Sequence, residues 1–510
     1  MRTPFHGKLP PFELRCGVMF FHDWRYVSHG YPCWETADGQ RQGLWGKGEL
    51  PPLRAGEGGR PWGIRLRALP AQKTEPVLSI KAPWAGSLGA PTVIREGGLY
   101  RLWYEVVPAS HIESGDAGLH NLLCYAESDD GMTWRRPATR ITSFEGDDNT
   151  NIVYGGHLAP EWGYHGGSVF RDPSAPPAER YKAWHLGCMS QAMAEEFMRK
   201  YPDRVDPFSV THRVHHGMFG AVSPDGLHWT ALPECLVMQT SDTQNIACWD
   251  EMLGRYVAYF RTWVLGRRSI GRAETDDFRC WPLPETFLWP GADVGPTDTW
   301  YCNGKTVCPG APDHHLLFAL RWNVWDDRFF VHMAVSPDGM LWSFPPDAQV
   351  ITPGERGSWD TGGVVAGCGM VELPGDRVGV PFIGYAIPHK YPRRRPLGQM
   401  GWATWQTGRL VALEAPERGE FTTFPVKFKG AALHVNARTQ HAGGIRIELI
   451  GGDGKPMPGR TLDDCDLING DYLDLPVTWR GESSIPRKED EPVSLRVRMA
   501  SAQLFSLKFT

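Results

Sequence analysis

Short apolar runs alternating with polar positions recur through most of the chain, and four of them end in versions of one turn. LLCYAE leads into Ser128-Asp129-Asp130-Gly131-Met132-Thr133-Trp134, and GMFGAV into Ser223-Pro224-Asp225-Gly226-Leu227-His228-Trp229. FVHMAV leads into Ser336-Pro337-Asp338-Gly339-Met340-Leu341-Trp342, and SIGRAE into a degenerate copy, Thr275-Asp276-Asp277-Phe278-Arg279-Cys280-Trp281. Period-two alternation is the pattern of a strand with one buried face. Asp-Gly between two such runs predicts a hairpin, because Gly accepts positive φ and Asp caps the turn. The Trp three residues beyond the Gly position suits burial between neighbouring sheets. The copies start about 50 to 95 residues apart, room for one four-stranded sheet each, and radial repetition of such sheets is a β-propeller.

The pattern divides the chain into three parts: 1–75, a segment packed beside the propeller; 76–413, five blades; and 414–510, a β-sandwich. Blade one is expected over 76–137, blade two over 150–232, blade three over 242–284, blade four over 298–345 and blade five over 360–413. The fifth lacks the Asp-Gly-Trp turn and ends in a hairpin-like GWATWQTGRLVAL. Beyond it, FTTFPVKF, ALHVNAR, GIRIELI, LDLPVTW, VSLRVRM and LFSLKF are regular strands with polar turns, as in a sandwich. Only Gln191 to Tyr201 has a helical pattern. The expected class is all-β.

Composition agrees, since 58 Gly, 43 Pro and 22 Trp in 510 residues do not suit a helical protein. The net charge of −5, with no basic stripe interleaved with aromatics, argues against a nucleic-acid partner. The one basic run, Lys390 to Arg395, reads as a solvated loop. No apolar run is long enough to span a membrane. The N-terminus lacks the apolar core of a signal peptide, so the expected location is cytoplasmic, or secreted if a leader has been removed. The 11 cysteines show no paired short spacings and read as reduced thiols rather than disulfides or a zinc site. Nothing indicates an oligomeric state.

Candidate chemistry concentrates at the starts of strands. Asp242-Thr243, Asp298-Thr299 and Asp360-Thr361 open the first strands of blades three, four and five. They either project acids toward one rim or cap their own turns. Glu105 ends the second strand of blade one, while Glu127 lies peripherally. Gln244, Asn245, Trp300, Tyr301 and Asn303 follow these acids and are suited to sugar hydroxyls and ring faces. Arg261 and Arg321 end second strands and are suited to a uronic acid or to ion pairs with the rim acids. His165 and His389, with Asp172 or Asp242, are the residues a divalent metal would use. No H-x-H or H-E-x-x-H spacing supports a metal, and no cofactor is expected.

The repeated turns, five blades and trailing sandwich resemble the five-bladed glycoside hydrolases of the invertase/levanase and arabinanase/xylosidase group, over about residues 76–510. The local match is Phe170-Arg171-Asp172-Pro173. The resemblance implies that Asp172, beside Arg171, holds sugar hydroxyls and stabilises the transition state in a pocket on the propeller axis. Two departures follow. Ala90, in Gly89-Ala90-Pro91, stands where those families place a carboxylate nucleophile or base, and no Glu occupies the first strand of blade three. The acid/base pair is therefore expected from Glu105, Asp242, Asp298 and Asp360 with Asp172, one of them with a raised pKa. The implied function is cleavage of a glycosidic bond in an oligosaccharide or glycan. The alternatives are a metal-dependent deacetylase or lyase, and a non-catalytic glycan-binding propeller.

Overall fold

The computed structural model describes residues 11–30, 33–38, 40–43, 59–79, 85–110, 120–158, 161–211, 214–390, 398–488 and 491–510. They form two compact units, one of residues 70–344 and 349–405, the other of 1–69, 345–348 and 406–510. Most of the basic run, 391–395, lies outside the described residues. No helix among those described is long and apolar enough to cross a membrane.

The first unit is a β-propeller built from antiparallel sheets. Blade one runs outward through Ala85–Glu96, Leu99–Pro108, Leu122–Ser128 and Ile152–Gly155. Blade two follows with His165–Arg171, Tyr181–Met189, His215–Ser223 and Thr230–Ala231. Blade three comprises Ile246–Asp250, Arg255–Val264, Arg267–Thr275 and Glu285–Leu288. In blade four, Asp298–Trp300 and Lys305–Cys308 both pair with Ala311–Asn323, followed by Arg328–Ser336 and Gln349–Ile351. In blade five, Gly363–Ala366 and Val371–Leu373 pair with Arg377–Tyr385, followed by Gly398–Gln406. Its outermost strand, Gln72–Lys73, comes from the chain before blade one.

Hydrogen bonds link each sheet to the next. Asn245 N–H donates to the Gly166 carbonyl (2.7 Å), Asn303 Nδ2 to the Tyr259 carbonyl (3.0 Å), and Met370 N–H to Thr306 Oγ1 (2.9 Å). Cys368 N–H donates to the Pro91 carbonyl at 2.8 Å, which brings blade five back onto blade one.

The Asp-Gly turns do more than reverse the chain. In each complete copy the Ser hydroxyl accepts from the Gly N–H, at 2.8 Å for Ser128 and Ser223 and 2.9 Å for Ser336. The glycines sit at φ +73°, +79° and +70°, which only Gly adopts cheaply. Each Gly carbonyl then accepts a bond from a neighbouring blade. Trp402 Nε1 reaches Gly131 (2.8 Å), Trp103 Nε1 reaches Gly226 (2.7 Å) and the Tyr259 hydroxyl reaches Gly339 (2.9 Å). A Cβ at Gly226 would lie 2.6 Å from the Trp103 ring. The turns are therefore joints between blades.

The second unit is built on a six-stranded sheet. Asp471–Pro476, Leu433–Ile450, Ser494–Phe509, Val411–Thr422 and Arg65–Ala68 lie side by side, and Val18–Phe20 also pairs with Ser494–Phe509. Two boundaries differ from the pattern-based division. N-terminal residues 18–20 and 65–68 belong to the C-terminal sheet, and the fourth strand of blade one is Ile152–Gly155, which the pattern gave to blade two. Both are non-local pairings, which alternation reveals as strands but not as partners. The helix forms over Gln191–Lys200, capped by the Ser190 hydroxyl, and buries Ala194 and Phe197.

Candidate functional site

The inner strand of blade two begins where blades one and three both approach it. Glu105, on the second strand of blade one, pairs across from Gly89, and the inner strand bulges there with Ala90 at φ +42°. Glu105 is buried; it accepts bonds from Asn121 Nδ2 (2.6 Å), His165 Nδ1 (2.9 Å) and the Gly166 N–H. The other ring nitrogen, His165 Nε2, lies 2.9 Å from Asp242 Oδ1. Both contacts are hydrogen bonds when both ring nitrogens carry protons, which favours the imidazolium, although Asn121 Nδ2 also lies 3.0 Å from Nδ1. Burial alone would lower its pKa, but the Glu105 charge and the bonds to both carboxylates push it up to about 10. Burial would raise Asp242, yet the bond to His165 and the charges of His165 and Arg261 bring it far below the ordinary carboxylate range.

The three groups form a line from interior to solvent. Side-chain exposure rises from 5% at Glu105 through 22% at His165 to 60% at Asp242. Asp242 is open to solvent.

Beside it stand two arginines on the hairpin of blade three. Arg261 is buried with its Cζ 4.5 Å from the Tyr301 ring centre. Arg268, half-buried, lies 5.0 Å from Trp263, 5.2 Å from Tyr301 and 5.0 Å from Trp322. Tyr301 in turn meets His389 at 5.1 Å.

Gly166 holds this corner together. Its φ is +55°, and a Cβ there would fall 1.9 Å from the Thr243 carbonyl oxygen. Gly166→Ala is expected to cost at least about 2 kcal/mol, from left-handed strain plus a backbone clash, and to lower the urea midpoint accordingly. An unchanged midpoint would refute this account of the joint.

The structure thus brings together Glu105, His165, Asp242, Arg261 and Tyr301. The remaining candidates lie elsewhere. Asp172 follows the opposite end of the strand that His165 begins, roughly 20 Å away at the usual rise per residue. It is buried against the Tyr256 hydroxyl (2.6 Å), the Ser174 hydroxyl (2.7 Å) and Lys182 Nζ (3.3 Å), not in an axial pocket. Arg171 beside it pairs with Glu96 at 3.1 Å.

Asp298 is taken up by Arg321 Nε (2.8 Å) and Asn323 Nδ2 (2.7 Å), so the ion-pair alternative describes both Asp298 and Arg321. Asp360 is buried against Lys73 of the outermost strand of its blade, with Ser358 Oγ donating at 2.8 Å. Of the three Asp-Thr pairs only Asp242 is free to face solvent, because it has no arginine or lysine partner holding it inward.

Trp300 stacks on Phe344 at 5.2 Å in the core. Asn245 and Asn303 spend their amides on backbone carbonyls between blades, and Gln244 Nε2 donates to the Pro91 carbonyl at 3.2 Å. His389 packs with Tyr301, Trp322 and Phe329. Among the described residues no group of three or more His, Cys, Asp and Glu side chains is placed to hold a metal. Asp242 and Asp172 are both lowered, and it is the histidine between Glu105 and Asp242 that is raised.

Sequence reasoning missed Asn121 and Arg268. Arg268 had a readable signal, since it sits directly across the hairpin from Trp263, two positions beyond Arg261 on the same face. Asn121 had none, because a lone Asn before a strand is ordinary turn chemistry.

The sequence matches no protein-family model and no curated protein sequence. Solved structures similar to the chain include propeller-type glycoside hydrolases. One is a fructofuranosidase from Schwanniomyces occidentalis complexed with fructosylnystose, at 12% identity over 86% of this chain and 98% of that one, TM-score 0.39. Another is an endo-arabinase from Bacteroides thetaiotaomicron, at 13% identity over 65% of this chain and 96% of that one, TM-score 0.39. A third is an N-acetylgalactosamine deacetylase from F. plautii in complex with blood group B trisaccharide, at 12% identity over 68% and 97%, TM-score 0.42. At these identities the activity must be argued from the site.

Proposed function

We propose that the protein is a glycoside hydrolase in which Asp242 acts as the ionised carboxylate, the base that activates water or the nucleophile. The observation that carries this reading is the Glu105–His165–Asp242 line, with its outer carboxylate alone open to solvent. A carboxylate held ionised through neutral pH cannot donate a proton, which leaves it the base or nucleophile role. Glu105 and Asp242 do not face one bond as an acid/base pair, because the His165 imidazole stands between them. A leaving group that ionises readily needs no protonation, so nitrophenyl glycosides probe the base by itself. Release of nitrophenol from a panel of pyranosides and furanosides, dependent on Asp242, is the expected result. No release from any member, or release unaffected by Asp242→Asn, would refute the reading.

The pH dependence follows from the two shifts. His165 is raised above its unfolded value, so its ion pairs stabilise fully below about pH 6.5 and are lost as pH rises through about 10. Asp242 is depressed, so its contribution holds above the ordinary carboxylate range and fades as pH falls. The rate should be flat from about pH 5 to pH 8, with the alkaline limb near 10. His165→Gln should move the acid limb upward by about one unit or more and abolish the alkaline limb. Superimposable profiles for the two proteins would show that His165 does not set the charge of Asp242.

A further inference from the structure

Several buried arginines of this fold pair with acids. Arg25 lies 2.7 Å from Asp23, Arg272 3.0 Å from Glu274, and Arg409 2.6 Å from Asp471. Arg261 and Arg268 break the pattern. Among the described residues neither has a carboxylate within ion-pair distance, and the nearby Asp242 is engaged by His165. Arg261 is 2% exposed, and among the described residues its side chain makes one bond, a long 3.3 Å contact from Nη2 to the Tyr301 carbonyl. The Nε–H groups of both arginines are buried without an acceptor among the described residues.

Leaving a buried cation unpaired is costly, and cation–π contacts attract the charge without accepting its N–H hydrogen bonds. The aromatic rings around the pair therefore orient the guanidinium groups without satisfying their donors. The two charges also repel each other: Arg268 is lowered by burial and by Arg261. An oxyanion would relieve all three costs at once by accepting the free N–H groups, screening the repulsion and replacing lost hydration. Guanidinium forks match planar or tetrahedral oxyanions with paired hydrogen bonds. Trp263 and Tyr301 stand against the same groups and offer faces to a sugar ring.

We propose that Arg261 and Arg268 form a subsite for an anionic substituent of the sugar, the carboxylate of a uronic acid or a sulfate ester. This names the substrate class of the site and rests on the reading of Asp242 given above. Asp242 then sits beside the subsite, so the bond to be cleaved belongs to the charged residue or to the one joined to it.

Binding tests the subsite independently of turnover. Tryptophan fluorescence, which Trp263 and Trp322 make responsive, can be titrated with galacturonic acid, its methyl ester, galactose 6-sulfate and galactose. Galacturonate or the 6-sulfate should bind at least about tenfold tighter than the methyl ester and galactose, with affinity falling as salt rises. Which of the two wins distinguishes a carboxylate from a sulfate source. Arg268→Gln, at a half-buried position, should remove the preference while the circular dichroism stays unchanged, and Arg261→Gln should do the same where it folds. Equal binding of charged and neutral sugars, no binding of either anion, or a preference that survives Arg268→Gln would overturn the subsite. Charge-selective binding without cleavage of any glycoside would leave the subsite standing and remove the hydrolase reading. Cleavage of neutral glycosides with no charge preference would do the reverse.

Discussion

Asp242→Asn is expected to lower kcat/KM on a susceptible nitrophenyl glycoside about 100- to 1000-fold. The substitution keeps the shape of the side chain and an oxygen that still accepts from His165, and removes only the negative charge. Solvent reaches 60% of this side chain, so little packing is lost. Stability should change by no more than about 1 kcal/mol, the range of exposed ion pairs. Thermal unfolding and initial rates measured on the same preparation separate the two effects. Near-normal rates would exclude Asp242 as base or nucleophile, and a collapse of the fold would assign it a structural role.

Asp172→Ala should behave in the opposite way. Its carboxylate is buried with Lys182, which is 1% exposed and whose Nζ also lies near Glu179. Truncation leaves the buried Lys182 with Glu179, 3.5 Å away, as its remaining carboxylate, at a cost of about 1–3 kcal/mol. The Tyr256 and Ser174 hydroxyls lose their acceptor as well. Chemical denaturation should show this loss, while kcat/KM of the protein that remains folded should be unchanged. Burial raises the Asp172 carboxyl, but bonds from Tyr256 and Ser174 and the Lys182 charge bring it below the usual value. Its stabilisation is therefore present above the ordinary carboxylate range and fades as pH falls. A folded, stable Asp172→Ala variant without activity would restore the role that the Arg-Asp-Pro resemblance implies.

These contrasting expectations show where sequence pattern carried information. Alternation and Asp-Gly turns are local, and they located the propeller strands and the single longer helix. Partner choice is not local, so the pairing of Ile152–Gly155 with blade one and of residues 18–20 and 65–68 with the C-terminal sheet was not legible. The site shows the same division. Glu105, His165 and Asp242 were individually visible as acids and a histidine at strand ends. Their convergence depends on a bulge at Ala90 and a left-handed Gly166, which no spacing encodes. The residues that carry the resemblance, Arg171-Asp172-Pro173, stand at the other end of that strand from His165, because a motif fixes residue types and not the end at which neighbouring blades meet. Asp298 and Asp360 shared a sequence context with Asp242 but not its surroundings: a cation from their own blade neutralises each.

The pairing of Gln72–Lys73 with the last blade has a consequence for how the molecule is made. Thr404 and Gln72, joined by a hydrogen bond, are 332 positions apart. During synthesis the early strand therefore waits, unpaired, until nearly all of the propeller has left the ribosome. The entropic penalty of so long a closure grows only logarithmically with length, so the finished ring loses little by it. The burden is kinetic. Contacts this distant in sequence form slowly, and an incomplete ring exposes strand edges and apolar blade faces in the interval. The step that completes the circle is also the one that hides those edges, so nascent chains are most vulnerable to misassociation immediately before it.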